Sequence, residues 1–307
     1  VITPSRTVEN LFWFGRYGER CDDLARLLRV ALNASLQEKD PTALPLAELG
    51  MRVGLSLRRD ALAQDWCAAA TLDTDHGLPA NLRQLARVAY SLRERISLDH
   101  WRALNRLAQD PALGEESSVA EALEWLDRVI QMMMTLSGFA LDGMTRDLGW
   151  RFMSIGRRLE RLAFSSLALN VALEMQDGEN LAWLLELEDS IVTYRARQMG
   201  RMAWPSILNL LMFDETNPRS LMFQVTGIHD YLRKLESALG PCHASSTVPL
   251  LDELRALGYP DEATADRRQL TMQLLTKLRS ASFMLSDNLT ERFFAHADQE
   301  SSTVLAV

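Results

Sequence analysis

The chain has 307 residues, of which 47% are hydrophobic and 24% are charged, a composition typical of a folded globular protein. It contains 33 lysine and arginine residues against 41 aspartate and glutamate residues, so its net charge at pH 7 is −8. This acidic balance disfavours an overall attraction to nucleic acid or to an anionic membrane, and we expect neither as a partner. A local basic groove remains compatible with it.

The cysteines and the apolar runs bear on the cellular compartment. Cys21, Cys67 and Cys242 are too few for a disulfide framework, which favours a reducing environment. The longest uncharged apolar run, residues 129–141, is too short to span a bilayer. We therefore predict a cytoplasmic protein. The chain lacks an initiator methionine and enters a helical pattern almost at once, so we expect a fragment of a longer polypeptide.

Helical periodicity dominates the sequence. From Ser5 to about Leu36 apolar residues recur at three- and four-residue spacing, which predicts a helix roughly 45 Å long. Segments rich in Pro, Gly and Asp separate the later helices, and no stretch shows the alternation typical of a strand. The further predicted helices cover approximately 45–70, 79–95, 98–109, 117–140, 147–176, 180–202, 205–213, 218–239, 247–257 and 262–296. The predicted fold is all-α, an elongated helical bundle formed by a single domain over residues 1–307.

The sequence also contains an internal repeat. WFGRYGERCDDLARLLRVAL begins at Trp13 and aligns with SIGRRLERLAFSSLALNVAL, which begins at Ser154, an offset of 154 − 13 = 141 residues. At nearly the same offset, residues 77–93 align with residues 216–233, and in both segments a proline opens a helix. We predict two pseudo-symmetric repeats, approximately 1–140 and 141–307.

Each repeat carries a Gly-Arg-x-x-Glu-Arg motif, at residues 15–20 and 156–161. Residues three and four apart share one face of a helix, so each motif forms one charged stripe. A glycine inside a helix costs about 1 kcal/mol relative to alanine and often marks the close approach of another backbone. We predict that the two motif helices pack together near these glycines. The charged residues that would then face one another are Arg16, Glu19, Arg20, Arg157, Glu160 and Arg161.

Four other polar residues are candidates for the same cluster. Arg6 and Asn10 precede the first motif on its predicted helix, and Arg146 precedes the second motif. Arg219 stands at a predicted helix start, where free N–H groups favour anions, and the structural alternative at this position is a simple capped helix start.

Two interpretations of this Arg/Glu cluster remain open. In the structural one, each glutamate pairs with arginines of the partner helix, and the network fixes the register of the two halves. In the functional one, the local excess of arginine binds a phosphate or a carboxylate. A glutamate acting as general base is a weaker third interpretation, because flanking arginines lower its pKa.

The sequence lacks the common motifs of metal and cofactor sites. No two of its five histidines lie at the three- to five-residue spacing of metal ligands, and it contains no Glu-x-x-His motif. It also contains no CxxC, GxSxG, P-loop or GxGxxG motif. We expect neither a metal ion nor a cofactor.

Three segments resemble the alpha-E domain family, and the resemblance covers essentially the whole chain. They are SRTVENLFWFGRYGERCDDLARLL at 5–28, RDLGWRFMSIGRRLERLA at 146–163 and NPRSLMFQV at 217–225. The most specific part is the N-terminal set Arg6, Asn10, Gly15, Arg16, Glu19 and Arg20. Members of that family occur beside circularly permuted ATP-grasp proteins, or fused to their C-terminus, and transglutaminase-like peptidase genes often lie nearby. These gene neighbours and fusion partners imply ATP-dependent formation of amide or peptide bonds.

The resemblance implies a non-catalytic helical accessory domain of an ATP-grasp amide or peptide ligase system. Its partners would be the ligase, fused upstream or acting in trans, or the ligase's anionic small-molecule or peptide substrate, bound through the Arg/Glu cluster. One alternative is a stand-alone enzyme acting on a phosphorylated or carboxylated substrate. Another is a purely structural scaffold that dimerises.

Overall fold

The computed structural model describes residues 5–37, 42–71, 75–109, 113–114, 117–175, 181–197, 202–258 and 265–294. Every regular element within these ranges is a helix, which confirms the all-α prediction. Some residues of the predicted helical runs lie outside the described ranges, namely 176, 180, 198–201, 262–264 and 295–296.

The described helices are numbered in chain order. The α-helices are α1 (Ser5–Ser35), α2 (Ala43–Arg52), α3 (Ala63–Thr71), α4 (Leu78–Ser91), α5 (Leu98–Gln109), α6 (Val119–Asp142), α7 (Leu148–Met175), α8 (Ala182–Leu187), α9 (Ile191–Arg197), α10 (Trp204–Leu208), α11 (Leu221–Leu239), α12 (Val248–Leu257) and α13 (Ala265–Phe293). A π-helical turn, Asn209–Phe213, continues α10, and a 3-10 turn, Ala244–Thr247, precedes α12. No helix in the described ranges has both the length and the apolar character needed to cross a membrane.

Two long helices, α1 and α7, form the centre of the molecule. They make the most extensive contact between any two described elements, which confirms the predicted packing of the motif helices. Helices α4 and α6 pack against α1, whereas α11 and α13 pack against α7. Large apolar side chains such as Phe12 and Leu159 are fully buried in this core, and each such burial contributes roughly 1.5–3 kcal/mol.

Local sequence signals set where the outer helices begin. Ser118 and Glu121 form a capping box at the start of α6, with the Ser118 N–H donating to Glu121 Oε2 at 2.8 Å. At the start of α11, the Phe223 N–H donates to Ser220 Oγ at 3.1 Å. The second cap fixes the turn that carries Arg219 against the α1–α7 contact.

Two of the predicted helical runs are wrong as single helices. The run 45–70 is divided, because α2 ends at Arg52 and Gly54 has a φ of +96°, a left-handed conformation that glycine adopts at little cost. The run 180–202 is divided by Asp189, whose φ of +49° separates α8 from α9. Aspartate is one of the few other residues that tolerate this region. This second break carries the acidic residues 188 and 189 to the central helices.

Candidate functional site

The glycines of the two motifs mark the crossing point of α1 and α7. A Cβ atom added to Gly15 would overlap the carbonyl oxygen of Met153, and one added to Gly156 would overlap that of Phe12. The predicted close approach of two backbones is therefore confirmed. The contacts are reciprocal, because Phe12 and Met153 are related by the same 141-residue offset as the glycines.

Glu160 of α7 accepts hydrogen bonds from both arginines of the first motif. Arg16 Nε donates to Glu160 Oε2 at 2.8 Å. Arg20 binds in a bidentate manner, with Nε at 2.7 Å from Oε1 and Nη2 at 3.1 Å from Oε2. Arg16 is buried and also donates through Nη1 to Ser286 Oγ of α13. These bonds join three helices around one buried carboxylate.

Glu19 of α1 accepts the corresponding bonds from the second motif. Arg157 Nε donates to Glu19 Oε2 at 2.9 Å, and Arg161 Nε donates to Glu19 Oε1. Arg219 Nη1 lies 3.7 Å from the same Oε1. Arg161 Nη1 also donates to the carbonyl oxygen of Pro218 at 3.1 Å, which ties the turn before α11 to α7. The two motifs thus exchange ion pairs across the α1–α7 crossing.

The charges of both glutamates are stabilised by these arginines. Burial alone would raise the pKa of Glu19, but Arg161 and Arg157 hold it well below its usual range. The two arginines of α1 likewise outweigh burial and lower the pKa of Glu160. A carboxylate with a lowered pKa is a poor general base near neutral pH, in agreement with the prediction from the flanking arginines.

A second layer of charges, not predicted from the sequence, adjoins the motifs. Asp22 Oδ2 accepts from Arg26 Nε at 3.0 Å and from Arg219 Nη2 at 2.9 Å. Asp22 and Asp23 follow Glu19 by three and four residues, and carboxylate oxygens of all three lie within 4.8 Å of one another. The three- and four-residue spacing from Glu19 is the sequence signal from which this acidic group could have been predicted.

Asp23 and Glu188 are buried carboxyl groups that lack an arginine partner within hydrogen-bond distance in the described part of the chain. Asp23 Oδ2 and Glu188 Oε1 have no hydrogen-bond partner there, while Ser165 Oγ donates to Glu188 Oε2 at 2.9 Å. Burial raises the pKa of both groups, and for Asp23 the nearby Glu19 adds to the effect. No local sequence pattern indicated Glu188, because a separate turn brings it to the cluster.

Three predicted site residues lie outside this network. Arg6 is exposed in the first turn of α1, and Asn10 is half-buried one turn later. Arg146 lies on the surface, with its guanidinium carbon 5.3 Å from the centre of the Trp150 ring. None of the three makes a hydrogen bond or an ion pair with the network among the described residues. The structure brings together the other seven, namely Arg16, Glu19, Arg20, Arg157, Glu160, Arg161 and Arg219.

A cleft of about 330 Å³ opens on one side of the ion-pair network. We call it the Arg20 cleft. Its lining includes Arg20, Arg52 and Arg279, together with the buried carboxyl groups of Asp23 and Glu160. The Arg20 side chain is 32% exposed, and its Nη1 makes no hydrogen bond within the described ranges.

Among the arginines of this cleft, Arg279 has the fewest polar partners within the described ranges. Its guanidinium carbon lies 5.3 Å from the centre of the Phe283 ring. No carboxylate lies within salt-bridge distance of it in the part of the chain that the structure describes. Since Arg20 also keeps a free N–H group, the cleft can offer two arginines to an anion.

Comparisons with known proteins match the chain to a family model and to longer relatives. A family model named Alpha-E, described as a predicted alpha-helical domain with a conserved ER motif, matches residues 3–294. The chain is 28% identical over 296 residues to Uncharacterized protein Rv2567 of Mycobacterium tuberculosis, an alignment that covers 85% of this chain and 33% of the relative. Uncharacterized protein Mb2597 of Mycobacterium bovis gives the same identity and coverage. No solved structure matches the chain significantly. The chain spans about a third of the length of these relatives.

Proposed function

Because the chain belongs to the Alpha-E family, we propose that it is a non-catalytic accessory domain of an ATP-grasp amide or peptide ligase system. In this proposal the domain binds an anionic group of the ligase or of the ligase's substrate. The binding site is the Arg20 cleft, and the buried Arg/Glu network behind it holds the cationic side chains in place.

The observation that carries the proposal is the pair of available arginines in the Arg20 cleft. Arg20 is oriented by its bidentate bond to Glu160 and keeps Nη1 for a ligand. Arg279 has no carboxylate partner among the described residues. Planar guanidinium groups match the geometry of carboxylates and phosphates, and a cationic cleft is distinctive in a chain whose net charge is −8.

The greater length of the relatives supports a role as one module of a larger protein. The aligned region is 33% of each relative, so a similar unit sits within a much longer protein there. The lowered pKa values of Glu19 and Glu160 support a binding role over catalysis by these two groups. Anion recognition and partner docking are therefore the functions that this network supports best.

We further propose that the domain arose from two pseudo-symmetric repeats, approximately 1–140 and 141–307. The reciprocal ion pairs of Glu19 and Glu160 support this proposal, as do the reciprocal contacts of the two motif glycines. The packing of α4 on α1 and of α11 on α7 adds to the argument, because the sequence repeat aligns α4 with α11.

Binding of the ATP-grasp partner to the domain tests the proposed function. The experiment immobilises the domain and titrates the purified ligase, with biolayer interferometry as the readout. We expect Arg279→Gln to weaken binding about tenfold, since a hydrogen bond to a charged group is worth roughly 1.5–3 kcal/mol. Affinity should also fall with added salt.

Arg233→Gln is the matched control, because Arg233 is exposed on α11 and is not among the residues that line the cleft. It should bind the ligase as the wild type does. Absence of a complex with the wild-type domain, together with no effect of the domain on ligation in trans, would refute the proposal.

Asp23 favours one alternative, a stand-alone enzyme acting on a phosphorylated or carboxylated substrate. It lines the Arg20 cleft, its Oδ2 has no partner among the described residues, and burial raises its pKa well above the ordinary value. A carboxylic acid that stays protonated can donate a proton to a bound anion. Under this alternative Asp23→Asn would abolish turnover while anion binding persists, and unchanged turnover would exclude the role.

A further inference from the structure

A second cleft, of about 260 Å³, lies between α7 and α11 on a different part of the surface. We call it the α7–α11 cleft. Its lining includes the aromatic rings of Trp150, Phe223 and Tyr231, together with three arginines of α7. The rings of Trp150 and Tyr231 meet edge to face at 5.5 Å between centroids. These rings give the cleft flat apolar walls.

Arg158 is the distinctive residue of the α7–α11 cleft. The residue is half-buried, and its guanidinium lies against two rings, with Cζ 4.8 Å from the centre of Phe223 and 5.5 Å from that of Tyr231. Its Nη1 donates to Phe223 O at 3.1 Å and to Gln224 Oε1 at 3.2 Å. Stacking and these neutral acceptors fix the orientation of the guanidinium, but they do not neutralise its charge.

The sequence of α11 accommodates this cation. A Cβ atom at Gly227 would lie only 2.5 Å from Arg158 Cζ, so the glycine provides the space that the guanidinium occupies. A glycine inside a helix costs about 1 kcal/mol relative to alanine. At this position the glycine makes room for a half-buried arginine, and burial is the main cause of that arginine's lowered pKa.

The charge balance distinguishes this cleft from the central network. Arg157 and Arg161 also line it, but each donates to Glu19 on its other side. No carboxylate lines the cleft, and none lies within salt-bridge distance of Arg158 among the described residues. A partly desolvated cation with no carboxylate in direct contact is unfavourable, so an anionic ligand would supply a close counter-charge.

We propose that the α7–α11 cleft binds a small aromatic anion, with its phosphate or carboxylate on Arg158 and its ring between the aromatic walls. Arg157, whose side chain is 28% exposed, would contribute its remaining N–H groups. The cleft is smaller than the usual 300–1,000 Å³ of pockets for drug-sized ligands, so it would hold about one ring and its anionic group. This inference does not depend on the ligase proposal, because it concerns a different cleft.

Calorimetric titration with four probes tests the inference, namely phenyl phosphate, benzoate, inorganic phosphate and phenol. We expect phenyl phosphate or benzoate to bind, and the stronger of the two identifies the anionic group. Inorganic phosphate should bind at least about tenfold more weakly, because it lacks the stacking ring, and phenol likewise, because it lacks the charge. Equal binding of inorganic phosphate would contradict the aromatic part of the proposal.

Variants at Ser154 and Arg158 supply the decisive comparison. Arg158→Gln should weaken the binding of the aromatic anion about tenfold. Ser154 lines the same cleft four residues before Arg158, so Ser154→Glu would place a carboxylate in the favourable i, i+4 position. This variant should abolish binding and raise the melting temperature.

Ser154→Gln, of the same size but neutral, controls for the added bulk and should bind the aromatic anion more tightly than Ser154→Glu does. Arg233→Gln, at an exposed position of α11 outside the lining of the cleft, should bind it as the wild type does. Circular dichroism melts verify that each variant folds. Wild-type affinity in both Arg158→Gln and Ser154→Glu would overturn the proposal, as would failure of both aromatic anions to bind the wild-type protein.

Discussion

Acidic side chains within the same buried cluster have pKa values displaced in opposite directions. Glu160 accepts from two arginines, which outweigh burial, and its pKa is lowered. Asp23 is four residues from Glu19 on α1, has no arginine within hydrogen-bond distance among the described residues, and has a raised pKa. The number of arginine donors around each carboxyl group therefore decides its protonation state more than burial does.

Replacement of Glu160 by glutamine tests whether the network stabilises the fold. It would leave the buried Arg16 facing a neutral amide, and removal of one member of a buried ion pair costs about 3–5 kcal/mol. Glu160 has a folded-state pKa below its ordinary value of 4.5, so its contribution is present above that pH and is lost as the pH falls through the folded-state value. We expect the wild type to exceed the variant in unfolding free energy at pH 7, by an amount that shrinks below about pH 4.5.

Urea unfolding at a series of pH values measures this difference. Glu94→Gln serves as the control, because Glu94 is exposed, and it should change the unfolding free energy by less than about 0.5 kcal/mol. Equal stability of Glu160→Gln and the wild type at pH 7 would mean that the network contributes little to folding. A functional role for its arginines would then be the better explanation.

At the scale of helices, the two motif glycines determine how closely α1 and α7 approach. Each faces a backbone carbonyl of the other helix, with no space for a methyl group. The short separation lets arginines on one helix reach the glutamate on the other through their Nε atoms. Helix register and ion pairing are therefore consequences of the same sequence motif.

Alanine substitution at two helical glycines separates packing from helix propensity. Gly156→Ala should destabilise the fold by about 1–3 kcal/mol, because the added methyl group forces the helices apart. Gly138 is exposed within α6, and a Cβ atom there meets nothing within 4 Å. Gly138→Ala should instead stabilise the fold by up to about 1 kcal/mol. Melting temperatures report both changes, and a stabilising Gly156→Ala would contradict the close crossing.

The sequence predicted the elements whose signals are local. Apolar periodicity predicted α1 and α7, and the repeated motif predicted that their glycines meet. The break at Gly54 was missed, because a glycine conformation at positive φ leaves no periodic signal. Glu188 was missed for another reason, since its place beside Ser165 depends on the turn after α8. Local sequence patterns thus predicted that the two motifs meet, whereas the second layer of charges depends on tertiary packing.

At the scale of the whole molecule, the α1–α7 crossing joins the first half of the chain to the second. The largest contact between described elements lies between these two helices, and both sets of ion pairs cross it. Helices α4 and α6 cover α1 from the first half, and α11 and α13 cover α7 from the second. Each half alone would expose one apolar side of its central helix and leave buried arginines and a glutamate without their partners.

Separately produced halves should therefore assemble into one folded complex. Residue 143 lies in the exposed turn between α6 and α7, so fragments 1–143 and 144–307 keep every described helix intact. We expect neither fragment to unfold cooperatively alone, whereas a 1:1 mixture should regain cooperative unfolding, measured by circular dichroism and sedimentation. Glu160→Gln in the second fragment should weaken association at least about a hundredfold, because the arginines of α1 lose their anion. A cooperative monomeric fragment, or no complex at micromolar concentration, would show that the crossing does not hold the halves together.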